Sequence, residues 1–236
     1  MHLGILQCGH VPDEVAAKDG PYETLFARLF AHRGFTQTLW SVVDMDFPDG
    51  PDDADAWLVT GSKHGAYEDH PFIPPLEDLI RRIRDSGKPM VGSCFGHQII
   101  AQALGGRVEK FGGGWSAGRT DYRLGDGTLT LNAWHQDQVT KLPEGATIHA
   151  SSDFCANAII AVGPRILTVQ PHPEFTDSVI ETLIETRGKA LPPEITGAAR
   201  AGLGGPNDNR FIADWLADVL EGADATAPRV PAEAAS

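Results

Sequence analysis

The chain has 236 residues, with 19 Lys and Arg against 32 Asp and Glu for a formal charge of −13; 42% of residues are apolar and 22% charged. At about 100–200 residues per domain this is one large domain, or one domain with extras, long enough to bury a core without disulfide or metal staples. The acidic balance argues against a general nucleic-acid binder, which needs basic surface to meet phosphates, but leaves room for a small anionic substrate in a local pocket.

The three cysteines, Cys8, Cys94 and Cys155, are odd in number and widely spaced, so neither a disulfide framework nor a zinc cluster is expected. Reduced thiols point to a cytoplasmic protein. Met1 to Gln7 lacks a basic segment followed by a long apolar one, and no run approaches about 18 apolar residues, so neither a signal peptide nor a membrane span is predicted.

In chain order, the apolar run Leu3–Gln7 reads as a buried strand. Leu25, Phe26, Leu29 and Phe30 recur at helical spacing within Pro21–His32, and Thr36–Val43 reads as a strand. An acidic, Pro- and Gly-containing loop spans Asp44–Asp55, and Ala56–Thr60 is a strand ending at Gly61. Phe72–Ser86 is a helix with Leu76, Leu79, Ile80 and Ile83 as its apolar face, stopped by Gly87. Pro89–Ser93 is a strand, and Gln98–Leu104 lies in a helix. This alternation is the signature of a parallel sheet in an α/β fold.

From Arg107 to Gln170 short strand-like runs follow one another: Arg119–Leu124, Thr128–Asn132, Ala146–Ala150, Ala156–Ala161 and Ile166–Gln170. They predict an antiparallel or mixed extension of the same sheet. A helix follows over Thr176–Arg187, then an irregular stretch over Lys189–Asn209 and an amphipathic helix over Arg210–Leu220. The expected organisation is a catalytic domain over 1–188, an irregular stretch and C-terminal helix packed on it over 189–220, and a disordered Ala/Pro tail over 221–236.

The strongest local signal is Gly92-Ser93-Cys94-Phe95-Gly96-His97-Gln98, between an apolar strand and an apolar helix. G-x-C-x-G in that setting is the thiol version of the strained strand-to-helix turn that presents a nucleophile, with glycines permitting tight backbone on either side. A thiol at a helix N-terminus has its thiolate favoured by the helix dipole.

The second signal is Gln170-Pro171-His172-Pro173-Glu174, after the last strand-like run. Residues two apart in extended chain share a side, and Pro173 holds its neighbourhood extended, so His172 and Glu174 face one way. An imidazole that takes the thiol proton, oriented by a carboxylate, is the logic of a catalytic triad. The histidines His64, His70 and His135 match neither a His-Glu-x-x-His nor a Cys-x-x-Cys pattern, and no metal site is expected.

Together these segments resemble the class I glutamine amidotransferases, whose members carry G-x-C-x-G-x-Q and a later His-Pro-Glu; the resemblance runs from about Leu3 to about Glu185. It implies a three-layer, flavodoxin-like α/β fold: a mostly parallel central sheet flanked by helices, with an antiparallel extension. It further implies that Cys94 is the nucleophile for a γ-glutamyl carbonyl, His172 its general base and Glu174 the orienting carboxylate. The backbone N–H groups of Phe95 and Gly61 would form the oxyanion hole. Gln98, and less specifically Trp134 and His135 in Trp134-His135-Gln136-Asp137, would border the glutamyl group.

Two departures from the family pattern bear on substrate choice. Gly113-Gly114-Trp115-Ser116-Ala117-Gly118 lacks the acid of the common G-x-x-E-x-G segment, as in the branch containing γ-glutamyl peptidases, and Pro171 stands where an aromatic residue is common. The implied activity is hydrolysis of a γ-glutamyl amide, glutamine by default, with ammonia passed to a separate partner subunit or simply released. The alternatives are a γ-glutamyl peptidase acting on glutathione-like compounds and a catalytically silent binding module. No cofactor is required.

Overall fold

In the computed structural model, which describes residues 1–230, strands and helices alternate through the first half of the chain. They are β1 (His2–Leu6), α1 (Asp13–Asp19), α2 (Tyr22–Leu29), β2 (Thr36–Trp40), β3 (Ala56–Val59), α3 (Ile73–Ser86), β4 (Met90–Ser93) and α4 (Phe95–Ala103). The second half is β-rich: β5 (Arg107–Lys110), β6 (Ser116–Leu124), β7 (Gly127–His135), β8 (Asp137–Lys141), β9 (Ala146–Ser151), β10 (Ile159–Val162) and β11 (Ile166–Val169). Three helices follow: α5 (Asp177–Arg187), α6 (Pro193–Ala201) and α7 (Asn209–Leu220).

Nine strands form one sheet in the order β2-β1-β3-β4-β11-β10-β9-β6-β7. The block β2-β1-β3-β4-β11 is parallel, and pairing from β11 through β10, β9, β6 and β7 is antiparallel. This is the expected parallel sheet with an antiparallel extension. Two cores sandwich it because side chains alternate along each strand. Ile5, Leu58 and Val91 join Phe26, Ile180 and Trp215 on one face, whereas Leu6, Val59 and Met90 join Leu76, Ile80 and Ile99 on the other. Each such side chain contributes about 1.5–3 kcal/mol by leaving water.

Several elements differ from the sequence expectation. The hydropathy pattern names nothing over 13–19, yet α1 forms there and packs against α5. The strand expected to reach Val43 ends at Trp40, and Val42–Asp44 turn in a 3-10 helix. β5 and β8 make a separate two-stranded sheet. The stretch 189–209 is not irregular throughout: α6 lies within it, where Pro193 opens the helix.

The expected tail also has contacts over its described part. Ala225 is fully buried; its N–H donates to the Pro164 carbonyl and its own carbonyl accepts from His149 at 2.8 Å. Arg229 pairs with Asp218 and lies over Phe211. Residues 231–236 of that tail lie outside the described residues. Among the described residues, no helix is long and apolar enough to cross a membrane.

Candidate active site

β4 and β11 are adjacent and parallel, with Ser93 opposite Val169. Both strands therefore release their chains at one edge of the sheet, which brings the turn at Cys94 beside the segment 170–174 despite their separation in sequence. Backbone bonds fix this arrangement: Cys94 N–H to Val169 O at 2.9 Å, Gln170 N–H to Ala158 O at 2.7 Å, and His172 N–H to Asn132 O at 2.8 Å.

Cys94 has φ 52° and ψ −104°; it and Met45 are the two non-glycine residues at positive φ among the described residues. A side chain in that region costs about 1–3 kcal/mol and persists only where the surroundings hold it. The flanking glycines serve close approach rather than unusual dihedrals. A Cβ on Gly96 would lie 2.1 Å from the Val59 carbonyl oxygen, and one on Gly92 would lie 2.6 Å from the Gly96 carbonyl carbon. Phe95 is the first residue of α4, so its N–H has no intrahelical acceptor.

Cys94 and His172 line the same cavity, and His172 Nδ1 meets Glu174 Oε1 at 2.7 Å. The other carboxylate oxygen, Oε2, accepts from Ser93 Oγ at 3.0 Å. Cys94, His172 and Glu174 are all buried, and Phe175 stacks flat on the imidazole with centroids 3.9 Å apart. Burial alone lowers the His172 pKa; the negative charges of Cys94 and Glu174, and the hydrogen bond to Glu174, more than offset this and push it up to about 10.

The other two thiols are different. Burial pushes Cys8 far above the ordinary thiol range despite a hydrogen bond from Thr60, and Cys155 up to about 12 against the opposing hydrogen bond from Asn157.

Cys94 and His172 open onto a cavity of about 900 Å³, whose wall also includes Tyr22, Gln98, Trp115, Trp134, His135 and Arg187. Gly61 abuts the imidazole: a Cβ there would meet Tyr22 Oη at 2.7 Å and His172 Cε1 at 3.2 Å. Gln98 lines the cavity, but its amide nitrogen donates to Asp137 O and Gln170 Oε1, leaving its oxygen for a ligand. His135 is buried, with Nδ1 3.2 Å from Asp137 O; burial and nearby His172 lower its pKa to about 3, against the hydrogen bond to Asp137, so it is neutral. Trp134 meets Trp115 edge-on at 6.5 Å. His97 is not on the wall and bonds Thr168 Oγ1 at 2.8 Å.

Sequence reasoning missed Ser93, whose contact depends on strand order rather than spacing, and Tyr22, which α2 brings in. It also grouped His64 and His70 with His135, whereas the ligand atoms that converge are those of His64, Glu68 and His70. Loop folding over 64–70, rather than a helical i, i+4 pattern, creates that cluster.

The profile of the family described as Glutamine amidotransferase class-I matches residues 27–187. Gamma-glutamyl peptidase 3 of Arabidopsis thaliana is 30% identical over 183 residues, covering 70% of this chain and 74% of that protein. The GMP synthase [glutamine-hydrolyzing] of Cupriavidus taiwanensis is 36% identical over 146 residues, covering 52% of this chain and 25% of that protein. The crystal structure of a glutamine amido transferase from Methylobacillus flagellatus superposes with a TM-score of 0.74 at 18% identity, covering 98% of this chain and 97% of that one. The chain belongs to the class I glutamine amidotransferase family.

Proposed function

We propose that the protein hydrolyses the γ-glutamyl amide bond of small γ-glutamyl compounds through a glutamyl thioester on Cys94. The observation that carries this reading is that Cys94 and His172 meet at one open cavity, with Glu174 Oε1 held 2.7 Å from His172 Nδ1.

In the reacting pair His172 holds the proton taken from Cys94, and the sulfur is the nucleophile. Sγ attacks the γ-carbonyl carbon, and the developing oxyanion is received by the N–H groups of Phe95 and Gly61. As the tetrahedral intermediate collapses, the C–N bond breaks and the imidazolium gives its proton to the departing amine. Water then attacks the thioester while His172 takes its proton. The C–S bond breaks, glutamate leaves, and the thiolate–imidazolium pair is restored. Glu174 holds the imidazole in the tautomer that points Nε2 at sulfur throughout.

Two observations favour the peptidase reading over plain glutamine hydrolysis. The similarity to γ-glutamyl peptidases spans most of both chains. The cavity, at the large end of the range for small-molecule sites, extends from Cys94 to Arg187, Lys189 and Leu191 beyond α5, giving space for a leaving group larger than ammonia.

The test is product release from γ-glutamyl dipeptides and glutathione against glutamine. A higher kcat/KM for amine release from the peptides supports the reading. Equal or faster ammonia release from glutamine would assign the site to glutamine, with ammonia destined for a partner subunit. Absence of turnover on all of them would leave a binding module on the same fold.

A further inference from the structure

Next to the thiol cavity, the segment from Gly61 to Phe72 folds back so that three metal-binding side chains face one point. His70 Nε2 lies 2.8 Å from Glu68 Oε2, His64 Nδ1 lies 3.8 Å from the same oxygen, and one ligand atom from each residue falls within 4.8 Å of the others. The two imidazoles meet with centroids 4.1 Å apart and planes tilted by 59°.

The arrangement is built by the backbone rather than by flexible surface chains. Glu68 N–H donates to Gly65 O, His70 N–H to Glu68 O, and Ile73 N–H to His70 O, which curls the loop into consecutive turns. His64 N–H is held by Ser62 Oγ at 3.1 Å. Phe72 packs against both imidazoles and then against Phe95, the residue after Cys94. The rings are thus braced from behind by a buried aromatic side chain.

We propose that His64, Glu68 and His70 form a binding site for a divalent transition-metal ion of the zinc class. The donor set decides the ion. Two imidazole nitrogens and one carboxylate suit zinc, cobalt or nickel, whereas calcium and magnesium take oxygen shells. At zinc–ligand distances near 2.0–2.1 Å, tetrahedral ligands stand roughly 3.3 Å apart; the two separations to Glu68 are 2.8 and 3.8 Å and the third lies within 4.8 Å. Small side-chain adjustments therefore admit the ion, which replaces the His70–Glu68 hydrogen bond.

His64 and Glu68 are part of the cavity wall, together with Gly65 and Tyr67. An ion held there clamps both ends of the 64–70 turn and stiffens the segment that begins at Gly61, beside His172.

Because a thiolate itself binds zinc, the test uses full-length protein carrying Cys94→Ser. Titration with zinc sulfate by calorimetry, and with cobalt by visible absorption, should show one saturable equivalent and cobalt bands of a nitrogen- and oxygen-ligated ion. Adding His70→Ala or Glu68→Gln should each weaken binding by more than about 100-fold, beyond the 10–100-fold that loss of an outer-shell partner gives. Circular dichroism establishes that both variants are folded, and His64→Gln replaces either one that is not. Absence of a saturable equivalent, or binding retained by either folded variant, overturns the proposal.

Discussion

The Ser93 hydroxyl donates a 3.0 Å hydrogen bond to Glu174 Oε2, so the residue preceding Cys94 restrains the carboxylate that holds His172. One oxygen of Glu174 is thereby fixed by β4 and the other by the imidazole, and the carboxylate cannot swing away from Nδ1.

Ser93→Ala removes that donor while leaving a side chain small enough for its buried position on β4. A hydrogen bond to a charged group is worth about 1.5–3 kcal/mol. Hydrolysis of γ-glutamyl substrates should therefore lose roughly 10–100-fold in kcat/KM, chiefly through kcat. Unchanged kinetics in a folded variant would show that Ser93 has no part in positioning Glu174.

The raised His172 pKa has consequences for rate and stability. The imidazolium persists well above the ordinary histidine value of 6.5 and is lost only as the pH passes about 10. The alkaline limb of the kcat/KM profile should lie far above neutrality. Since the folded-state pKa is above the unfolded one, the stabilisation is complete below pH 6.5 and fades between 6.5 and about 10. Cys94→Ala removes the strongest influence raising this pKa. Titration of the His172 ring proton by NMR should then show a lower pKa than in the parent, and an unchanged value would contradict the ion-pair account.

Selective alkylation separates the three thiols. Cys94 lines the open cavity, whereas Cys8 and Cys155 are buried with raised pKa values. Brief treatment of the folded protein with iodoacetamide, followed by peptide mass mapping, should find the label on Cys94. Equal labelling of Cys8 or Cys155 would refute this ordering.

Two glycines should respond oppositely to alanine. At Gly96 the added Cβ meets backbone of β3 at 2.1 Å, so Gly96→Ala should be destabilising at the top of the about 1–3 kcal/mol range for overpacking. Gly197 lies inside α6 with open space around its Cβ position and no positive φ. Gly197→Ala should stabilise by about 0.5–1 kcal/mol. Chemical denaturation of the two variants against the parent measures both.

The parallel block and its helices were legible because their signals are local. Leu76, Leu79, Ile80 and Ile83 mark α3 by spacing alone, Gly87 ends it at φ 75°, and runs such as Ala56–Val59 are apolar throughout because both faces of that sheet are covered. α1 and α6 were not legible. Each is short, with few buried residues, and is stabilised by packing against α5 or β6 rather than by its own periodicity.

By itself the amino-acid sequence determined the thiol turn, the His-Pro-Glu segment and the alternation that makes the α/β sheet, since each depends on neighbours within a few residues. Only the tertiary structure decided that Ser93 reaches Glu174, that Tyr22 and Gly61 crowd the imidazole, and that Glu68 rather than His135 joins His64 and His70. Those contacts follow from β11 pairing beside β4 and from the path of the 61–72 segment, and strand order and loop path are long-range choices that no local spacing encodes.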